Sequence, residues 1–299
     1  MRLSRPLALL ALLGPGPALA AQSSAGTELW RLATVTLPLP PALATGVVAA
    51  FWNPAQPTGP GAGQLGLELI QTPGAVDARG VIAAVRFRLR RMGSLGFVYG
   101  RMELSDLVRT TDSPSPDGST IPFYTQSAAL AWARDFSRST VGVNIGYHDT
   151  HFDNTRIGRW VFDAGFAQRV GERVRLAAAF RGFQRLGSDP AQDLYAGFEY
   201  RLWRGALWHG TPGVIQVRYG LTTGHPGGTD HQLGLGLDVA APLSLDVVLV
   251  REATYGNAAW RGAAGFRIAV GRYRLCFARD GGISDLGSSF RVGLEARVK

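Results

Sequence analysis

Two clusters of histidine and aspartate are the residues of this chain whose types and spacing could support chemistry. His148-Asp-Thr-His-Phe-Asp153 places two histidines three positions apart, and the stretch from Thr223 to His231 also combines histidine with aspartate. Either cluster could hold a metal ion or form the His/Asp pair of a hydrolase, although a metal site normally needs a third ligand and an ordered outer shell. Neighbouring glycine and asparagine indicate an exposed loop at the first cluster, and the glycine-rich second cluster is interpreted in the same way. We therefore predict no catalytic residues, no metal and no cofactor, and keep a hydrolase that uses His148 or His151 as an alternative.

The elements that must position these residues follow from a rhythm of alternating apolar and polar residues. In the stretch from Asp230 to Val239, Leu233 and Leu235 share one face while Gln232 lies on the other. Period two is the pattern of a β-strand whose two faces meet different surroundings. The rhythm predicts fourteen strands, at about residues 64–71, 80–89, 94–102, 123–134, 139–148, 159–169, 173–183, 192–202, 213–222, 230–240, 243–253, 259–269, 272–279 and 289–298.

Residues 1–21 have the features of a secretory signal peptide. A short positive start precedes an Ala/Leu core at Leu7–Leu13, and small residues allow cleavage after Ala20 or Ala21. The core is too short to span a bilayer as a helix, and no later segment has about eighteen consecutive uncharged apolar residues. The chain is therefore expected to be exported, and the pattern disfavours a helical inner-membrane protein.

Strand length and connection length together predict a transmembrane β-barrel. Each predicted strand has about ten residues, which suffices for a tilted strand to cross a bilayer. Tight turns alternate with longer loops such as Glu103–Pro122 and Asp149–Gly158, as periplasmic turns and outer loops do in outer-membrane barrels; Trp203–Pro212 is a long exception. The predicted fold is all-β, an antiparallel barrel of about 14 strands at residues 64–299 in the outer membrane, with both ends in the periplasm. A soluble β-sandwich or propeller is the alternative, and no blade-length repeat recurs.

The polar faces of the predicted strands carry charges that must avoid lipid. An arginine that faces lipid at mid-membrane costs about 2–4 kcal/mol, so these residues are predicted to line the lumen. The set is Arg86, Arg88, Arg175, Arg181, Arg218, Arg267, Arg291, Glu199, Asp238 and Asp246. They form either an ion-pair network that props a narrow barrel or a path for anionic or amphipathic cargo. The net charge of +9 also suits nucleic acid, but arginines spread along strands form no basic patch, so we predict no nucleic-acid partner.

Residues 22–63 lack the strand rhythm and are rich in proline, alanine and glycine. A short helix or strand is expected at Ala42–Phe51, followed by a turn at an Asn-Pro pair. Lumen-facing glycines such as Gly142, Gly165 and Gly197 leave room for an occupant of the barrel, which this segment itself could be.

The stretch Ala49-Ala-Phe-Trp-Asn-Pro-Ala55, just ahead of the first strand, resembles a motif of FadL-type outer-membrane transporters and their PorV/PorQ relatives. The residues that carry the resemblance are Phe51, Trp52, Asn53, Pro54 and Ala55. It implies that residues 22–63 form a plug-like segment inside a barrel. It also implies passage of hydrophobic molecules or, in the PorV-like branch, a part in protein secretion. The implied partners are outer-membrane lipid, hydrophobic small molecules and secretion-system proteins, and a sealed structural barrel is the alternative.

Overall fold

The computed structural model of the protein describes residues 25–56, 59, 61–74, 76–105, 107–108, 120–184, 192–225, 228–240, 242–254, 257–281 and 287–298. The signal peptide predicted at residues 1–21 and most of the loop predicted at Glu103–Pro122 lie outside the described residues. No helix in the described part of the chain is long and apolar enough to cross a membrane.

Fourteen antiparallel strands form one closed barrel, in which each strand pairs with its neighbours in sequence and β1 pairs with β14. This confirms the predicted all-β antiparallel barrel and its strand count. The strands are β1 Gly63–Gln71, β2 Ala78–Leu89, β3 Gly93–Leu104, β4 Phe123–Phe136, β5 Ser139–Phe152, β6 Thr155–Val170, β7 Val174–Phe183, β8 Gln192–Ala206, β9 Pro212–His225, β10 Gly228–Val239, β11 Leu243–Thr254, β12 Asn257–Val270, β13 Tyr273–Asp280 and β14 Phe290–Val298.

Alternation along the strands places apolar side chains on the outside of the barrel. In β10, Leu233 and Leu235 are 54% and 55% exposed, whereas Gln232 is 6% exposed. Large exposed apolar side chains recur in the same alternation in β1, β3, β5, β11 and β14. An apolar surface of this extent suits contact with lipid, because surfaces that face water rarely expose contiguous apolar patches of more than a few hundred Å².

Connections differ from the sequence prediction at three places. The loop expected for the stretch Thr223–His231 is mostly strand, because β9 continues to His225 and β10 begins at Gly228. The loop predicted at Asp149–Gly158 is wrong, because β5 and β6 continue through these residues and pair Asp149 with Gly158. Strand pairing satisfies the backbone groups without an apolar face, so the two strands can continue past the point where the apolar alternation ends. The long connection predicted at Trp203–Pro212 is shorter, since β8 continues to Ala206 and a 3₁₀ turn at Trp208–Gly210 leads into β9.

Ahead of the barrel the chain forms one α-helix and two 3₁₀ turns. The helix α1 spans Ala25–Val35, and the turns span Pro41–Leu43 and Val48–Phe51. The helix or strand expected at Ala42–Phe51 is thus two separate turns, and α1 has no counterpart in the sequence prediction. Prolines soon after α1 prevent a longer helix, because proline lacks an N–H and clashes with the preceding turn.

Candidate functional site

Lumen-facing glycines bring the barrel wall against residues 25–56, termed the N-terminal segment. A Cβ on Gly142 would stand 2.3 Å from the carbonyl oxygen of Pro54, and a Cβ on Gly197 would stand 2.6 Å from Cγ of Leu43. Carbon atoms in contact prefer about 3.5–4.0 Å, so larger side chains at these positions would overlap the segment. Segment and wall share one packed interior, in which Leu43 is fully buried.

Backbone carbonyls of the N-terminal segment accept hydrogen bonds from lumen side chains. Most of these carbonyls lie at the C-terminal end of α1 or of a 3₁₀ turn, where no further helical N–H is available, and burying a carbonyl without a partner is costly. Five arginines and one asparagine donate to them: Arg86 to Gln56 (2.9 Å), Arg175 to Leu43 (3.3 Å), Arg261 to Val35 (2.8 Å), Asn144 to Ala50 (2.9 Å), Arg181 to Phe51, and Arg291 to Ala33. Arginine side chains thus replace, for this segment, the backbone pairing used elsewhere in the barrel.

One side chain holds the Asn-Pro-Ala turn together. Asn53 donates its amide N–H to the carbonyl oxygen of Ala42 at 2.8 Å, and its amide oxygen accepts the N–H of Ala55 at 2.9 Å. An amide side chain offers both a donor and an acceptor, which a carboxylate does not. Asn53 is fully buried, and Pro54 lies against the glycine-lined wall at Gly142. The turn therefore depends on the amide chemistry of this position.

Phe51 anchors the motif to α1 and to the barrel wall. Its ring centroid is 4.7 Å from that of Trp30, and the guanidinium of Arg181 lies 4.6 Å from the ring centroid. Trp52 packs edge-on against Phe51 with centroids 5.0 Å apart. Aromatic pairs and cation–π contacts of this kind contribute about 0.5–2 kcal/mol each. They link the N-terminal segment to β7.

Arg218 is the centre of the larger charged cluster in the lumen. Its guanidinium contacts Glu199 (2.7 Å), Asp246 (2.5 Å) and Gln216 (2.7 Å). Asp246 also pairs with Arg267 at 2.9 Å, so one buried carboxylate bridges two arginines. Gln216 continues the cluster to Asp238 at 2.9 Å. The paired charges satisfy one another inside the barrel.

The ten predicted lumen charges divide into two groups. The first group forms the charged cluster and consists of Glu199, Arg218, Asp238, Asp246 and Arg267. Arg267 also donates to the Thr45 hydroxyl at 2.5 Å. The second group donates to backbone carbonyls of the chain ahead of β1 and consists of Arg86, Arg88, Arg175, Arg181 and Arg291. Arg88 donates to the carbonyl of Gly59 at 3.1 Å. Arg181 also pairs with Asp163 at 3.2 Å, and Arg291 also pairs with Glu68.

The two histidines of the first cluster lie within β5. His148 is the last residue of the strand predicted at 139–148, whereas the loop position predicted for His151 is wrong. His148 is 1% exposed, accepts the Trp30 indole N–H at Nε2 (3.1 Å) and lies 2.7 Å from the Thr125 hydroxyl. His151 contacts Tyr124 at 3.2 Å on the opposite face, because residues an odd number apart in a strand point to opposite sides. The two rings therefore cannot bind one ion together, and the described residues contain no group of three metal-ligating side chains.

Asn144, Arg261, Trp30 and Thr36 are among the contacting residues that were not identified from the sequence. Asn144 and Arg261 occupy inward-facing positions of predicted strands, so the same alternation that selected the other lumen residues would have found them. Trp30 and Thr36 carry no such signal, because α1 and the residues after it have no strand rhythm. Thr36 accepts a hydrogen bond from Arg291 at 3.1 Å.

Comparisons with known proteins identify a shared fold. No protein-family model matches the chain, and no curated protein matches it. The toluene transporter TbuX from Ralstonia pickettii is 12% identical, with 85% of this chain and 94% of that chain covered and a TM-score of 0.54. The toluene transporter TodX from P. putida is 11% identical, with 84% and 94% covered and a TM-score of 0.51. The protein therefore has the fold of an outer-membrane β-barrel.

Proposed function

We propose that this protein is a FadL-like barrel of the outer membrane that passes small hydrophobic molecules, with the N-terminal segment as a hatch in its lumen. The observation that carries the proposal is how the segment is attached. Side-chain hydrogen bonds to its carbonyls and apolar contacts hold it, while the strand ladder closes through β1 and β14 without it. The segment can therefore move without opening the wall.

Energetics support a segment that can be displaced. A hydrogen bond contributes about 0.5–1.5 kcal/mol net, or about 1.5–3 kcal/mol with a charged partner, because water replaces the lost partner. Several hydrogen bonds of this kind, from separate strands, hold the segment. Each strand of the barrel, by contrast, is paired along its length with two neighbours. Local opening of the segment should therefore cost less than unfolding of the barrel.

A hydrophobic cargo suits the surface that displacement would uncover. Ile82 and Met102 are fully buried on the inward faces of β2 and β3, in the same apolar cluster as Leu43 and Phe51. Removing the segment would leave these side chains to line the lumen. The resemblance of the Asn-Pro-Ala motif to FadL-type transporters and the fold shared with two toluene transporters support the same class of cargo.

A sealed structural barrel, including a secretion accessory of the PorV-like kind, is the second candidate. The observation in its favour is the tight fit between the segment and the wall at Gly142 and Gly197. A hydrolase is not proposed, because His148 and His151 lie on opposite faces of β5.

A reversible disulfide between segment and wall tests the hatch. Leu43 Cγ lies 2.6 Å from the place of a Cβ on Gly197, so Leu43→Cys with Gly197→Cys brings two thiols within disulfide reach. Cys276→Ser removes the single native cysteine. The readout is uptake of radiolabelled toluene by vesicles with a lipopolysaccharide outer leaflet, and Leu43→Cys alone is the matched control.

We expect uptake above that of protein-free vesicles in the reduced double-cysteine protein, loss of uptake on oxidation, and recovery with reductant. Oxidation should leave the single-cysteine control unchanged. Equal uptake in the oxidised and reduced proteins would contradict the hatch. Uptake no greater than in protein-free vesicles, with the barrel shown to be folded, would favour the sealed barrel.

A further inference from the structure

A cavity of about 220 Å³ lies at the end of the barrel where β1 begins and β14 ends, termed the terminal end. Thr45 and Gln56 of the N-terminal segment form one side of it, and residues from β6, β7, β13 and β14 form the other. A second cavity of about 430 Å³ adjoins it and shares Arg274 and Arg297 in its lining. Liquid water takes about 30 Å³ per molecule, so the space admits a small solute with bound water.

The first cavity has a strongly basic wall. Its charged lining residues are Arg169, Arg175, Arg272, Arg274, Arg297 and Glu295. Glu295 pairs with Arg274 at 3.1 Å and accepts the N–H of Val47 at 3.0 Å. Five arginines against one glutamate leave a net formal charge of +4 around the cavity. Among the residues that the structure describes, Arg169, Arg175 and Arg297 have no carboxylate within ion-pair distance.

The positions of Arg169 and Arg175 concentrate this charge. The two residues are directly opposite each other in the β6–β7 ladder, where like charges are destabilising. Glu199 is opposite Arg175 on the other side, but Arg218 engages its carboxylate at 2.7 Å. The hydrogen bonds of Arg175 to Leu43 and to the Gln56 side chain, both 3.3 Å, have neutral acceptors. An anion in the cavity would offset this repulsion.

We infer that the cavity binds a phosphate-type oxyanion, either inorganic phosphate or the phosphate group of an ester. Guanidinium groups match phosphate oxygens with pairs of parallel hydrogen bonds. Inorganic phosphate or a phosphate monoester presents at least three acceptor oxygens and up to two negative charges, so it can engage arginines of β6–β7 and of the β13–β14 region together. A carboxylate has two oxygens and one charge. This site does not depend on the passage of hydrophobic molecules, and its test is separate from the uptake assay.

Calorimetric titration of the full-length protein in non-ionic detergent tests the site. One arm uses inorganic phosphate, and the other uses dihexanoyl phosphatidic acid, so that the arms separate a free anion from a lipid headgroup. The test variant is Arg169→Gln with Arg297→Gln. The matched control is Arg279→Gln, which removes an exposed arginine of β13 that does not line either cavity. Heat-modifiable migration in gels checks that each variant is folded.

We expect saturable binding in at least one arm, at least tenfold weaker in the double variant and unchanged in Arg279→Gln. If the double variant does not fold, Arg297→Lys keeps the charge but loses the planar fork, and should weaken binding severalfold. Absence of binding in both arms, or equal weakening in the control, would overturn the assignment.

Discussion

The substitution Gly142→Ala should loosen the N-terminal segment while the barrel stays closed. The added Cβ would stand 2.3 Å from the carbonyl oxygen of Pro54 and 2.7 Å from the backbone nitrogen of Ala55. Both neighbours are backbone atoms, so no side chain can rotate away to make room. To restore an ordinary contact distance the segment must move by about 1 Å, which disturbs the Asn53 hydrogen bonds that hold the turn.

The size of the effect follows from packing. Adding a methyl group to a filled interior costs about 1–3 kcal/mol. If this cost falls on the packed state of the segment, the population of the displaced state rises about 5- to 150-fold. Gly234→Ala is the matched lumen-facing control, because a Cβ there meets no atom closer than 3.4 Å.

Thiol labelling measures this population. Ala42→Cys in a Cys276→Ser background places the reactive group where Ala42 is fully buried. Labelling then requires displacement of the segment, and its rate follows the open population when opening and closing are fast. We expect about 5- to 150-fold faster labelling in Gly142→Ala and a change within about twofold in Gly234→Ala. Equal rates in the two glycine variants would refute the reasoning.

Three further substitutions test other contacts. Arg181→Met leaves the buried Asp163 carboxylate without its arginine and should lower stability by about 3–5 kcal/mol, measured as a lower midpoint of the heat-induced gel shift. Adding Asp163→Asn should recover part of this loss, and no recovery would contradict the ion pair. Asn53→Ala leaves two buried backbone groups unpaired and should lower the free energy of unfolding in denaturant by about 1–3 kcal/mol, whereas unchanged stability would argue against the bridge. Leu235→Arg puts a charge on the outer face at mid-strand and should lower the stability of the barrel in a bilayer by about 2–4 kcal/mol. Val270→Arg, at a strand end, should lower it by about 0–1 kcal/mol, and equal losses for the two variants would contradict the depth assignment.

Most of the barrel could be predicted from the sequence because strand alternation is local information. Each segment from Gln64 onward carries its own apolar and polar faces, so strand number and orientation follow without knowledge of long-range contacts. The prediction failed where the rhythm stops although the ladder continues, as at Asp149–Gly158. The same failure placed His151 in a loop, whereas it lies in β5 and contacts Tyr124.

The candidate site was accessible from the sequence only as a set of residue types. Lumen arginines and glycines were identifiable because charge and small size stand out on the polar faces of strands. Their partners were not, because nothing in the local pattern of Arg181 indicates that it binds the carbonyl of Phe51 across 130 positions of sequence.

The sequence by itself thus determined the barrel, its two faces and the kinds of residue that line its lumen, since lipid outside and polar groups inside impose period two on every strand. Only the tertiary structure decided how the N-terminal segment lies against the wall, which arginines hold its carbonyls and which remain around the cavity at the terminal end. Closing the barrel brings together side chains that are far apart in the chain, and the carbonyls at the helix and turn ends of the N-terminal segment take their hydrogen-bond partners from the side chains that this closure places nearby.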